Sequence, residues 1–226
     1  MISRIFFLFF LFISINCYPI FYGLDAKAQK NCKITKFQFF SERCSGSNFI
    51  KNLLCSNFIV EKKVRNYGHK HFPPWFSLPM EFYPGPEHFY TFKDSENVLF
   101  IVIFRNPYDW LSSFNLKPWN GSKKLKNLDL SSFIRKKWSL NPNHPRFLAT
   151  PNPLEDRNPV DGSLFSNVMK LRTAKIETML EIKNRVKNIY FINYEVIKEH
   201  PQEVLKEIEC LFNLKRVGKY RSCNLL

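Results

Sequence analysis

The chain has 226 residues, 45% of them apolar, and a formal net charge of +15. That length carries one domain with a full core and excludes two large ones, and the apolar share excludes a disordered chain. A basic domain favours polyanionic partners; with no stripe of basic residues interleaved with aromatics, a nucleic-acid partner is not expected.

At the start, "MISRIFFLFFLFISINCYPIFYG" places Arg4 before an apolar run over residues 5–15 that only Ser14 interrupts. This is the layout of a secretory signal, and Ala26-Lys27-Ala28 offers a small-x-small cleavage site. Apolar character continues through Tyr18, Ile20, Phe21 and Tyr22, so residues 5–23 are also about long enough to span a bilayer. Residues 1–28 are therefore a signal peptide or a signal anchor, and 29–226 a single domain delivered to a lumen or the exterior. Cys32, Cys44, Cys55, Cys210 and Cys223 lie beyond the leader. They allow one or two disulfides in an oxidising compartment, and no Cys/His spacing points to a metal. Asn120-Gly121-Ser122 is a glycosylation sequon.

Residues 36–41 read as a short strand, and Phe49, Ile50, Leu53 and Leu54 recur at helical spacing within 48–58. Residues 66–94, rich in Pro, Gly, His and aromatics, read as a long loop of the kind that lines a site. "NVLFIVIF", residues 97–104, is a strand buried on both faces, which implies a parallel sheet covered by helices. A helix follows over 107–114, with Pro107 at its first position and Asn106 as its cap. A helix is expected over 130–138, a loop over 139–162, and a long amphipathic helix over 163–186 with Leu164, Val168, Leu171, Ile176 and Leu180 near one face. A third strand over 188–193 precedes a helix over 201–212 with Val204, Leu205, Ile208 and Leu211 inward. This alternation predicts an α/β domain: three layers, α/β/α, with a central and mainly parallel sheet.

In such sheets ligands bind beyond the carboxyl ends of the strands. Three ends carry chemistry. The first is "SERCSGSNF": the helix after it points free N–H groups into the loop, Gly46 admits a phosphate, and Arg43, Ser45 and Ser47 add donors. The second is Arg105, with Ser113 two turns into the next helix; the third is Tyr194-Glu195. Each alone has an ordinary reading, as a helix cap, a surface ion pair or a core-edge tyrosine. A magnesium-dependent kinase or ATPase of this topology needs G-x-x-x-x-G-K-[ST], and Gly46 is followed by Ser47-Asn48 with no Lys.

These segments, over most of residues 35–215, resemble the sulfotransferases that use 3′-phosphoadenosine 5′-phosphosulfate. "SERCSGSNFIKNLL" is similar to that family's loop for the 5′-phosphosulfate, "VIFRNPYDWLSSF" to its 3′-phosphate motif, and "FINYEVIKEHPQEVLKEIECLFNL" to its late segment near the adenine. The resemblance implies a P-loop-like fold and no metal. It implies donor binding by Arg43, Cys44, Ser45, Gly46, Ser47 and Asn48, by Arg105 and Ser113 at the 3′-phosphate, and by Tyr194. "GHKHFPPW", residues 68–75, falls where cytosolic members carry their catalytic histidine, so His71 is the expected base and Lys70 its neighbouring cation. Cys44 stands where many members have Lys or Arg, with Arg43 one residue early, and Arg216-Val217-Gly218 matches the family's last donor element poorly.

The expected reaction is sulfuryl transfer to an acceptor hydroxyl, on a glycan. The expected place is the Golgi membrane, where the donor is supplied, with the catalytic domain lumenal and residues 5–23 in the bilayer; the alternative is secretion after cleavage. Rival functions are a nucleotide or small-molecule kinase of related fold and a non-catalytic, basic glycan-binding protein of the secretory route.

Overall fold

The structure, a computed structural model, describes residues 22–63, 67, 70–71, 92, 94–139, 156, 158 and 161–223. Most of the two long loops expected over 66–94 and 139–162 lies outside the described residues. The sheet contains β1 (Asp25–Lys27), β2 (Lys36–Ser41), β4 (Val98–Phe104) and β5 (Ile189–Asn193), extended by a two-residue pairing at β3 (Lys62–Lys63). Its spatial order is β1-β5-β4-β2-β3. β4 pairs in parallel with β2 on one side and β5 on the other, while β1 adds an antiparallel edge to β5. The chain is therefore an α/β domain with a mixed sheet.

The helices are α1 (Ser47–Asn57), α2 (Pro107–Leu116), α3 (Leu130–Arg135), α4 (Val168–Glu181), α5 (Tyr194–Glu199) and α6 (Pro201–Phe212). Alternation along the strands sends Phe37, Phe39, Ile101 and Ile192 to one sheet face, where they meet Ile50 and Leu53 of α1 and Val204, Leu205 and Ile208 of α6. Phe40, Phe100, Val102 and Phe191 pack on the other face with Met179 and Ile182 at the end of α4. Each fully buried Phe or Leu of this kind stabilises the fold by about 1.5–3 kcal/mol. A third cluster, with Trp110, Phe114, Phe133, Trp138 and Leu171, joins α2, α3 and the start of α4.

Local signals account for most boundaries. The Asn106 carboxamide oxygen accepts from the Tyr108 N–H at 2.9 Å, and Pro107 occupies the first helical position. Asp129 caps α3 and Asn167 caps α4 in the same way. Four expectations shift. The long helix starts at Val168, where Asn167 can cap it. Its buried face is Val168, Leu171, Arg172, Lys175, Thr178 and Met179, while Leu180 is half exposed. α3 stops at Arg135, and Trp138 fills the third cluster from an extended segment. Leu211 points outward, and Phe212 takes the buried place at the end of α6. Finally, α5 forms ahead of α6; His200, the residue between them, leaves helical geometry because it precedes Pro201.

β1 lies on the N-terminal side of the boundary drawn at residue 28, so the sheet begins earlier than the sequence pattern indicates. Among the described residues, Cys32, Cys44, Cys210 and Cys223 are free thiols, and no helix is long and apolar enough to cross a membrane.

Candidate functional site

β2, β4 and β5 run parallel, so their carboxyl ends lie on one side of the sheet, and the three segments singled out in the sequence leave from those ends. After Ser41, residues 42–46 make a tight loop into α1, with Cys44 and Gly46 at φ 61° and 75°. Gly46 is needed twice over. Its backbone is left-handed, and a Cβ there would stand 2.1 Å from Cδ2 of Tyr194. The Tyr194 ring thus lies directly on the loop. α1 has Gly46 at its N-cap with no side-chain cap hydrogen bond and no acidic residue in its first turn, so its leading N–H groups and positive dipole end keep their capacity for an anion. Ser45 is 1% exposed, and its hydroxyl has no hydrogen-bond partner among the described residues. Ser47 is buried beside it, and Asn48 is exposed.

Arg43 turns away from this loop mouth. Its Nη1 donates to Asp156 Oδ2 at 2.8 Å, and its guanidinium lies 5.4 Å from the Trp138 ring centre. Asp156 also pairs with Lys175 Nζ at 2.5 Å and accepts from Trp138 Nε1 at 3.1 Å. Glu42 pairs with Arg172 at 3.3 Å, and Arg172 stacks 4.2 Å over the Trp110 ring. Glu42, Arg43, Asp156, Arg172 and Lys175 are all buried, and together they form an ionic layer under the loop. Burial pushes the Glu42 carboxyl up to about 7, against the pull of Arg172, Lys175 and Arg43. Burial likewise pulls Lys175 down to about 8, with Asp156 opposing.

The second strand end is tied to the first. Arg105 Nη1 donates to the Cys44 carbonyl at 2.7 Å, and its guanidinium sits 5.0 Å over the Tyr194 ring. Glu195 lies 4.0 Å from Arg105 Nε and accepts from the Asn106 N–H at 3.0 Å. Arg172 Nη2 donates to the Arg105 carbonyl at 2.7 Å, so one buried side chain joins both strand ends. Ser113 is half-buried on α2, two turns beyond Arg105, on the helix face of the Asn106 cap. Cys44 donates its thiol to the Lys117 carbonyl at 3.6 Å; burial pushes that thiol up to about 11, so it stays protonated at neutral pH.

Lys70 and His71 reach the same place from the 66–94 loop. The Ser41 N–H donates to the Lys70 carbonyl at 2.7 Å, and Lys175 Nζ donates to the His71 carbonyl at 3.0 Å. Lys70 Nζ donates to Asn48 Oδ1 at 2.6 Å, which puts an ammonium at the first turn of α1. His71 Nδ1 is 3.1 Å from the Ser41 carbonyl, which can only accept. A neutral ring in this contact carries its proton on Nδ1, the tautomer whose lone pair is on Nε2.

The structure thus brings together Arg105, Tyr194, Lys70, His71 and the loop from Cys44 to Asn48, and separates Arg43 from them. Arg216-Val217-Gly218 sits elsewhere: Phe58 bridges Arg216 and the Asn57 carbonyl accepts from Val217, at the far end of α1 from the loop. Sequence reasoning missed Arg172, Lys175 and Asp156. The first two carried a signal, because both fall on the helical face of Val168 and Leu171. No group of three or more metal-ligating side chains occurs among the described residues. No protein-family model, no curated protein and no solved structure matches this chain.

Proposed function

We propose that this chain is a sulfotransferase that moves a sulfuryl group from 3′-phosphoadenosine 5′-phosphosulfate to an acceptor hydroxyl, on a three-layer, P-loop-like α/β/α domain. The observation that carries the reading is the stack of Arg105, Tyr194 and Gly46. Three segments up to 148 residues apart in sequence, each similar to a different donor-binding motif, meet within van der Waals or hydrogen-bond distance.

The donor's 5′-phosphosulfate fits the loop, where the α1 amides with Ser45 and Ser47 supply donors. Lys70 at Asn48 is the cation that balances charge on the leaving phosphate, and Arg43 holds the loop from below. Arg105 has N–H groups left for the 3′-phosphate after its bond to Cys44, and Ser113 adds a hydroxyl. Tyr194 offers its ring edge to the adenine side.

In the reaction His71 Nε2 takes the acceptor's hydroxyl proton as that oxygen attacks sulfur in line. One S–O bond forms and the bond from sulfur to the bridging oxygen breaks. The electron pair leaves on the 5′-phosphate of adenosine 3′,5′-bisphosphate. The basic surface favours an anionic glycan as acceptor.

The inward turn of Arg43 favours one rival, a basic binder that holds the donor without turnover. Radiolabelled sulfate transfer to a panel of glycans, peptides and small alcohols separates the two. Retention on immobilised adenosine 3′,5′-bisphosphate should be strong in the wild type and lost in Arg105→Ala. Equal retention of both would remove the donor assignment; retention without transfer to any acceptor would favour the binder.

A further inference from the structure

We propose that residues 22–28, with β1 among them, are a permanent part of the domain, that the Ala26-Lys27-Ala28 site is not processed, and that the apolar run stays attached and seats the β1/α6 edge on a lipid surface. This does not rest on the donor reading.

The strand is fastened along its length. The Glu207 carboxylate, on α6, accepts from the N–H groups of Tyr22 at 2.6 Å and Gly23 at 3.1 Å, and from the Tyr190 hydroxyl at 2.7 Å. Leu24 donates to the Phe191 carbonyl at 2.9 Å, and β1 then pairs Asp25 with Phe191, Ala26 with Tyr190 and Lys27 with Ile189. Gln29 donates to the Asn188 side chain at 2.9 Å, and Lys183 pairs with Asp25. Tyr22 and Ala26 pack on the main core cluster, and the Tyr22 ring lies 5.4 Å from that of His200. Cleavage after Ala28 would remove every contact made by residues 22–28. It would strip the edge of β5 and leave the Glu207 carboxylate without its two backbone partners, Tyr22 and Gly23, so the site that reads as a cleavage signal is a strand of the fold.

The second step is one of length. The expected span of residues 5–23 overlaps the Glu207 clamp, which holds Tyr22 and Gly23 to the fold and leaves residues 5–21 for the bilayer. No linker remains between residues 5–21 and the clamp. Residues 5–21 sit at the short end of what spans a bilayer, about 17 residues, so no apolar slack separates the domain from the headgroups. The part of the domain beside Tyr22 is then at the membrane plane. Leu24, 51% exposed there, is an apolar side chain suited to that boundary.

The test uses the full chain expressed in cells with a secretory route. The expected result is that the protein stays in the membrane pellet after alkaline carbonate extraction, and that mass spectrometry recovers peptides that begin before Tyr22. Hydrogen exchange on the detergent-solubilised chain should show the amides of residues 22–27 protected on the order of 100-fold over an unstructured segment. A mature N-terminus at Gln29, release into the carbonate supernatant or medium, or unprotected amides over 22–27 would each overturn the proposal. Loss of donor binding or transfer would leave these readouts unmoved, so the two readings fail separately.

Discussion

Asp156→Asn removes one charge and almost no volume, and it tests whether the layer under the loop is held electrostatically. Asp156 is fully buried, with Arg43 at 2.8 Å on one oxygen, Lys175 at 2.5 Å on the other and Trp138 Nε1 at 3.1 Å. Breaking a buried pair by removing one partner costs about 3–5 kcal/mol, because the other charge is left without compensation. Here one carboxylate serves two cations, so the upper half of that range applies. With a urea slope of about 2 kcal/mol/M, a loss of about 4 kcal/mol lowers the urea midpoint by about 2 M. For a domain of this size it lowers Tm by roughly 10–15 °C. Urea unfolding of the full chain in detergent, followed by circular dichroism, measures it. Adding Lys175→Met removes one of the two stranded cations, so Asp156→Asn/Lys175→Met should be more stable than the sum of the single changes by at least about 1 kcal/mol. A midpoint shift worth less than about 0.5 kcal/mol, or strict additivity, would refute the reasoning.

Glu42, whose carboxyl is raised to about 7, binds more protons folded than unfolded between its ordinary 4.5 and 7. Its contribution is present below pH 4.5 and lost as pH rises through 7, so the stability of wild type relative to Glu42→Gln should fall from pH 5 to pH 8. A difference that holds constant or grows over that interval in urea titrations contradicts the assignment. Gly46→Ala puts a methyl group into the Tyr194 ring at φ 75°, and should lose more than about 1–2 kcal/mol together with retention on immobilised adenosine bisphosphate; a variant that melts and binds as wild type would show that the ring is not packed on the loop. His71→Ala should keep donor binding and lose turnover by about 10²–10⁴-fold, measured as kcat in the transfer assay, and an active variant removes the base assignment. Lys70→Met should lower kcat more than donor affinity, whereas an unchanged kcat would return the cation role to another side chain.

Where residues close in sequence set the structure, the sequence was legible. The continuous apolar run of β4 and the Asn106-Pro107 start of α2 are local signals, and both appear within a residue or two. The three strand ends could be named because parallel pairing sends them to one side. Asp156 could not be found this way. It meets Arg43 across 113 residues, from a loop with no periodic pattern. Lys175 and Arg172 look like solvated residues of a basic chain until the register of α4 is known; reading Leu180 as inward hid that register. β1 has three residues and no alternation, and its pairing depends on Glu207, 184 or more residues away.

Three of the five charges under the loop are cations and two are carboxylates, so the buried layer carries an excess positive charge. Burial loads that excess onto the fold, since an apolar layer of the same volume would be as stable or more so. Glu42 shifts toward its neutral form, which enlarges the excess, and Lys175 shifts toward its own, which reduces it. Neither cancels the positive end of α1 just above, where Gly46 offers no side-chain cap and no acid stands in the first turn. Arg43 need not face the loop mouth to act there: its charge is felt through a few ångströms of low-dielectric protein, and its pairing with Asp156 keeps the backbone amides in place. On the proposed reading, an anion at those amides would balance the layer, the dipole and Lys70 together. That is why the early arginine of "SERCSGSNF" is better read as the floor of an anion site than as one of its walls.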